Sequence, residues 1–391
     1  MKDDLRLNEA TALLQALSGA HGILASGSTV ANYAAVFARD AIMAGLAGLL
    51  THDAVVTAGL VRTLEGLRDL QGPEGQIASN YRVDADGTAH VSFGTLAPRF
   101  DSATWYLVGV ALAARAGAID ATAFQSSVEQ VVHLLDGIEY NGRHLLYVPA
   151  GGNWADEYPF DGYILYDQVL RGWGLALLAE VCGQPAWQEK AARIGETIAA
   201  RFLPEGDWRY GGARRFPVAA ISPVRTDEHV DLAACALLAL SGLAPSLGQR
   251  ALDEIAATWL QPGALPPAFS PVIDEDDPDW PALSRYHLHG FRNRPHEYHN
   301  GGIWPIWLGW LALAFARHGR HDDLTRLRQL VTGHLASLEA FAFEEYLHGL
   351  TGAALGTRHM AYTATGLLLL HHAGSAQATA LFTVHTRRGT A

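Results

Sequence analysis

The chain has 391 residues, 49% of them hydrophobic, and a formal net charge of −12. That length can bury a large core. The negative balance, with no run of Lys or Arg, excludes a nucleic-acid partner, whose binding requires clustered cations to neutralise phosphates.

Apolar residues recur at spacings of three and four, which predicts twelve helices and no alternating strands. They fall near 6–19, 39–50, 52–71, 101–117, 120–138, 161–182, 184–203, 227–243, 246–261, 300–318, 320–340 and 360–374. Short breaks such as Thr51 and Gly183 alternate with long connections. Helices joined by tight turns are antiparallel neighbours, so the pattern predicts six hairpins with all the long loops at one end. The expected fold is all-α, a single (α/α)6 barrel over residues 1–391. Function should gather at the loop-bearing mouth. No stretch is apolar enough to span a bilayer, so no membrane partner is expected. The N-terminus, MKDDLRLNEATALLQAL, carries acids where a signal peptide carries cations, giving a cytoplasmic expectation. Homo-oligomerisation is left open.

Lysine occurs only as Lys2 and Lys190, neither near a motif, so Schiff-base and pyridoxal chemistry have no nucleophile in view. Cys182 and Cys235 lie in apolar helical runs and read as small buried hydrophobes. His287, His289, His296 and His299 share one loop but lack the spacing of a zinc-binding helix. Gly151-Gly152 and Gly301-Gly302 do not follow strands as a phosphate cradle would. No metal and no cofactor are expected.

The long loops bring tryptophans, glycines and acids together: GPEGQIASNY, FGTLAPRFDSATW, GGNWADEYPFDG and HEYHNGGIWPIW. Trp beside Asp and Asn suits a sugar, whose ring has an apolar face for stacking and a rim of hydroxyls needing bidentate partners. Trp154 and Trp304 are the stacking candidates. Glycoside hydrolysis needs one protonated carboxyl and one carboxylate. Asp156 in WADEY is the acid candidate, because flanking aromatic rings strip water from a carboxyl and favour its protonated form. Capping of the next helix is the alternative, for which Asp161 is better placed. Glu345 in FEEY supplies the second carboxylate, a solvated Glu pair being the alternative. Asp227, Glu228 and Asp231 form a third acidic group, read mainly as helix-capping residues. The connection over 261–299 is too long for a simple link and reads as a lid or wall.

In order along the chain, NYAAVFARDAIMAGLAGLL, GQIASNYRV, FGTLAPRFDSATWYLVGVALAAR, EYHNGGIWPIWLGW, FEEYLHG and AYTATGLLLL resemble segments of the alkaline/neutral invertases. These belong to glycoside hydrolase family 100 and are related to the α/α-barrel enzymes of families 63 and 37. The resemblance implies a six-hairpin barrel and inverting hydrolysis of a small α-linked glycoside such as sucrose. It implies Asp156 as general acid and Glu345 as general base. It further implies sugar contacts by Arg39, Asp40, Asp101, Trp105, Gln168, His299 and Asn300. The segment EYPFDGYILYDQV departs from the invertase pattern and keeps only its terminal glutamine, Gln168. That leaves Glu157 and Asp161 as rivals for the acid, and trehalase, processing-glucosidase and mannosylglycerate-hydrolase specificities open beside sucrose. The competing readings are a sugar epimerase or isomerase using His287, His289 or His299, and a sugar-binding protein without activity.

Overall fold

The computed structural model describes residues 5–28, 33–94, 97–139, 142, 144–285 and 290–384. His287 and His289 lie outside the described residues. All twelve expected helices are present: α1 (Leu7–Leu17), α2 (Ala38–Thr51), α3 (Ala54–Asp69), α4 (Phe100–Arg115), α5 (Gln125–Gly137), α6 (Leu165–Cys182), α7 (Pro185–Arg201), α8 (Leu232–Ser241) and α9 (Pro245–Trp259) come first. A single turn, α10 (Trp280–Leu283), interrupts the long connection before α11 (Pro305–Arg317), α12 (His321–Ser337) and α13 (Ala361–His372). A short α14 (Ala376–Phe382) ends the described chain.

Helices α2, α4, α6, α8, α11 and α13 pack each against the next, and α13 closes back on α2. Their composition explains the central position. In α4 every residue from Asp101 to Ala113 is buried, and in α6 every residue from Leu165 to Ala179. A helix apolar on all sides must be surrounded by protein. The outer helices bury only a stripe, as in α9, where Leu247, Gly248, Ala251, Leu252 and Ile255 face inward at three- and four-residue spacing. Tight links such as His52–Asp53 and Gly183–Gln184 tie the outer helices α3 and α7 to α2 and α6. Left-handed backbone at His52, Gly183 and Gly242 ends the inner helices of these hairpins.

Two features lie beyond the sequence expectation. The sixth pair comes from both ends of the chain, because α1 packs on α13. In addition, α14 packs on α2 and α4, and Phe382 meets Trp310 edge-on at 5.5 Å between ring centres. Short antiparallel ladders of two to four residues, such as Val36–Phe37 on Asn80–Val83 and Tyr163–Ile164 on Ala220–Ile221, lead into the inner helices. They pin the long loops where those helices begin.

The ring is tightest between α11 and α13. A methyl group on Gly366 would lie 2.2 Å from the Pro305 carbonyl oxygen, and one on Gly309 would lie 2.5 Å from the Gly366 carbonyl oxygen. Backbone cannot yield as a flexible side chain does, so overpacking here should cost at least about 1–3 kcal/mol. Gly366→Ala is expected to lower the thermal midpoint by several degrees, measured by calorimetry, whereas Gly333→Ala, with open space at its Cβ, should leave it within about a degree.

Candidate functional site

A cavity of about 370 Å³ opens at the end of the ring where the inner helices start. Helix α2 contributes Arg39 and Asp40, α4 contributes Asp101 and Ser102, and Trp304 and Tyr362 come from the starts of α11 and α13. The long loops add Tyr33, Arg99, Trp154, Asp156, Arg292, Tyr298, His299 and Glu345. The cavity therefore brings together Arg39, Asp40, Asp101, Trp154, Asp156, His299, Trp304 and Glu345 from the sequence candidates.

Three candidates do not line it. The Trp105 indole donates to the Tyr166 hydroxyl at 2.7 Å within the core. The Gln168 amide is occupied by the backbone of Leu146 and Ile164. Asn300 accepts from Ile273 N and donates to the Ile273 and Asn293 carbonyls. All three side chains clamp framework beneath or behind the cavity.

The acid-bearing loops separate neighbouring carboxylates clearly. Glu345 is 4% exposed. Its Oε1 accepts from the Tyr33 hydroxyl at 2.8 Å and its Oε2 from Thr357 N at 3.2 Å. Gly356, with φ +83°, lets the backbone approach, since a Cβ there would come within 2.7 Å of the Glu345 Cβ. Burial pushes the Glu345 carboxyl above its usual range, and the nearby Arg292 guanidinium and the Tyr33 hydrogen bond oppose the shift. Glu344 instead turns to Arg358, at 3.2 Å, and to Ala342 N.

Asp156 is held differently from the aromatic-box expectation. Its Oδ2 lies 2.7 Å from Arg99 Nη2, and the side chain is 32% exposed. The apolar box surrounds Trp154 instead, which stacks on Phe269 at 5.3 Å and meets His299, Trp304 and Trp307 edge-on. Of the rivals for the acid, Glu157 is buried against Arg292, with Nε to Oε2 at 3.2 Å, and Asn293 donates to its carbonyl at 2.8 Å. Asp161 accepts from the exposed Tyr147 hydroxyl at 3.0 Å. Neither Glu157 nor Asp161 lines the cavity.

Residue-type reasoning missed Tyr33, Arg99, Arg292, Tyr298 and Tyr362. The signal lay in position: Arg99 stands two residues before Asp101 in a quoted segment, and Arg292 stands in the long connection. Arg292 sits 4.1 Å above the Tyr298 ring, a cation–π contact.

Around the starts of α2, α4, α6 and α8 stand four aspartates, Asp40, Asp101, Asp167 and Asp231. Arg39 pairs with Asp101 at 2.7 Å and with Asp40 at 3.4 Å. Burial nevertheless pushes Asp40 up to about 6, with Arg39 opposing and Asp101 adding to the rise. Asp167, buried with no hydrogen-bond partner on either oxygen among the described residues, is driven well above the carboxylate range by burial and then by Asp101 and Asp231. His299 is held well below its ordinary value by burial and by the charges of Arg292, Arg39 and Arg99, so it is a neutral imidazole.

A second cluster, Asp227, His229 and Asp279, has the donor set of a metal site. Its carboxylates are already engaged: Arg225 reaches Asp227 at 3.0 Å and Asp279 at 2.9 Å, and Arg209 reaches Asp279 at 2.8 Å. Two guanidinium groups in that position repel a cation.

Three solved structures share this architecture. The GH63 mannosylglycerate hydrolase from Thermus thermophilus in complex with Tris has a TM-score of 0.67 at 15% identity, over 93% of this chain and 99% of that one. The same hydrolase in complex with glucose has a TM-score of 0.64 at 15% identity, over 93% and 98%. A bacterial glucoamylase complexed with acarbose has a TM-score of 0.66 at 13% identity, over 94% of this chain and 55% of that one. The fold is that of the six-hairpin glycosidases. In sequence, the family described as alkaline and neutral invertase matches residues 276–375, which contain the HNGG and FEEY segments. No curated protein sequence matches the chain. Both lines of comparison that match lead to glycoside hydrolases.

Asp231 sharpens the electrostatic picture. It caps α8 by accepting from Ala234 N at 3.1 Å, yet burial pushes it up to about 7 from 3.8. Its folded pKa lies above the unfolded one, so the native state holds a proton that the unfolded chain releases above about pH 4. Stability from this group is complete below that point and is lost as pH rises through about 7. Asp231→Asn keeps the cap and removes the titration. Its thermal midpoint should match the wild type near pH 4 and exceed it at pH 8, as read by calorimetry at the two pH values.

Proposed function

We propose that the chain is an inverting glycosidase acting on a small α-linked glycoside, with Asp156 as general acid and Glu345 as general base. The observation that carries this reading is that these two carboxylates, from loops 189 residues apart in sequence, line one cavity with tryptophans and hydroxyl-binding groups. In the reaction, Asp156 gives its proton to the glycosidic oxygen as the bond to the anomeric carbon breaks. Glu345 takes a proton from the water that adds its hydroxyl to that carbon from the opposite face. The two carboxyls then exchange that proton through solvent. Tyr33 and Thr357 N hold Glu345 by its two oxygens. Trp154 and Trp304 offer ring surfaces for the sugar, and Arg39, Asp40, Asp101 and His299 offer donors and acceptors for its hydroxyls.

The described parts of the long connection, 261–285 and 290–299, serve in this reading as a wall that limits the substrate to a short sugar. Arg292–Glu157, Arg209–Asp277 and Arg225–Asp279 tie it to neighbouring loops at three places, and Asn300 accepts from Ile273 N within the connection itself. Hydrolysis is favoured over epimerisation because Asp156 and Glu345 are among four carboxylates in the cavity, while the one described histidine in it, His299, is packed between Trp154 and Trp304. The work is expected to take place in the cytoplasm.

A panel of α-glycosides, beginning with sucrose and including trehalose and mannosylglycerate, with released monosaccharides identified, tests the activity. Proton NMR of the first-formed anomer tests the stereochemistry: a product of the same anomeric configuration as the substrate would refute inversion. Asp156→Asn and Glu345→Gln should each lower kcat on the order of 10²- to 10⁴-fold while circular dichroism stays unchanged. Glu345 acts ionised, and burial raises its pKa above 4.5. The acidic limb of kcat/KM should therefore fall with a midpoint above 4.5, and a profile flat down to about pH 4 would remove Glu345 from the base role.

A further inference from the structure

We infer that Arg99 is the positioning residue of the acid, a splint that selects which oxygen of Asp156 carries the transferable proton. The inference rests on the reading of Asp156 as general acid. Arg99 ends the loop before α4 and faces the 151–156 turn, which it holds at both ends: Nη1 donates to the Gly151 carbonyl and Nη2 donates to Asp156 Oδ2 at 2.7 Å. The next residue adds a third tie, Phe100 N donating to the Gly152 carbonyl at 2.8 Å. Gly151 has φ +75°, and because glycine adopts left- and right-handed backbone about equally readily, the residue itself does little to hold the turn in one shape. Arg99 is the one hydrogen-bond partner of the Asp156 side chain among the described residues, and that side chain is a third exposed, so it would otherwise sample several rotamers.

The direction of the hydrogen bond has a chemical consequence. A guanidinium only donates. A protonated Oδ2 would be a poor acceptor for it, so the proton of the neutral acid belongs on Oδ1. The donor oxygen and its direction are thereby chosen before substrate arrives, a saving of the kind that pre-oriented catalytic groups give. Arg99 neither gives nor takes a proton at any step.

The test exploits the leaving group. Fluoride departs from an anomeric carbon without protonation, whereas an alkoxide leaving group requires the acid. Arg99→Gln, Arg99→Lys and Asp156→Asn are compared with the wild-type enzyme on the α-glycoside selected by the panel and on the matching α-glycosyl fluoride. Arg99→Gln should lower kcat on the glycoside on the order of 10- to 100-fold with little change in KM, and should leave fluoride hydrolysis within about twofold. Arg99→Lys, which keeps one donor to Oδ2, should recover part of the loss. A crystal structure of Arg99→Gln should show the Asp156 carboxylate rotated or in several conformers. Unchanged glycoside turnover, or equal loss on both substrates with Asp156 still in its native rotamer, would overturn the inference. If Asp156→Asn retains glycoside turnover, the acid assignment itself fails, and the crystal structure alone then decides whether Arg99 orients that side chain.

Discussion

Six parallel helices begin at one end of the barrel, and their unpaired amide groups together form a concentrated positive end. Each helix N-terminus is equivalent to roughly half an elementary charge. The molecule answers with carboxylates: Asp40, Asp101, Asp167 and Asp231 in the first turns of four helices or just before them, and Glu345 beside the start of α13, where Thr363 donates to the Glu344 carbonyl at 2.7 Å. Burial works against these same carboxylates. Asp40, Asp167, Asp231 and Glu345 are all pushed upward, with burial the largest cause each time. Desolvation outweighs the hydrogen bonds and arginine charges that favour the ionised forms. The mouth of the barrel consequently holds several carboxyls poised between their charged and neutral forms, a condition suited to acid and base chemistry.

The arginines decide which of these carboxyls are fixed in place. Arg39 bridges Asp40 and Asp101, Arg99 holds Asp156, and Arg292 holds Glu157 while lying over Tyr298. Each joins one long loop or helix start to another. Part-buried pairs of this kind add little net stability, because desolvation and solvent screening consume most of the attraction. Their value is geometric, since a bidentate guanidinium fixes both partners in direction. Removing one partner leaves the other charged and unpaired, so loops from distant parts of the sequence are committed to a common arrangement.

Much of this was legible in the sequence, for identifiable reasons. The inner helices announce themselves through long apolar runs such as LAACALLAL, and the alternation of short and long connections implies a ring. The short ladders at the helix starts were invisible because a two-residue strand has no period to detect. The pairing of α1 with α13 depends on ring closure, which no local pattern carries. Glu345 and Asp156 were legible as residues of the cavity lining because acids among aromatics are unusual in a loop. Trp105, Gln168 and Asn300 look similar in sequence yet serve the framework, and only the direction of each side chain separates the two uses. WADEY shows the limit best: adjacent carboxylates at Asp156 and Glu157 point to different arginines, one lining the cavity and the other behind it.

That separation also explains why the aromatic residues of WADEY do not surround its first acid. Trp154 and Tyr158 both stack on Phe269, at 5.3 and 4.4 Å, from the two sides of the turn. Phe269 is itself laddered to Asp231 at the start of α8. The rings thus anchor the turn to the barrel; of the residues between them, Ala155 and Glu157 are buried and Asp156 is left partly exposed, facing outward. Asp156 occupies that outward position, and among the described residues its side chain is hydrogen-bonded by Arg99 alone. A long-range cationic partner has to supply the orientation, and Arg99, whose own backbone is fixed at the start of α4, is the group within reach.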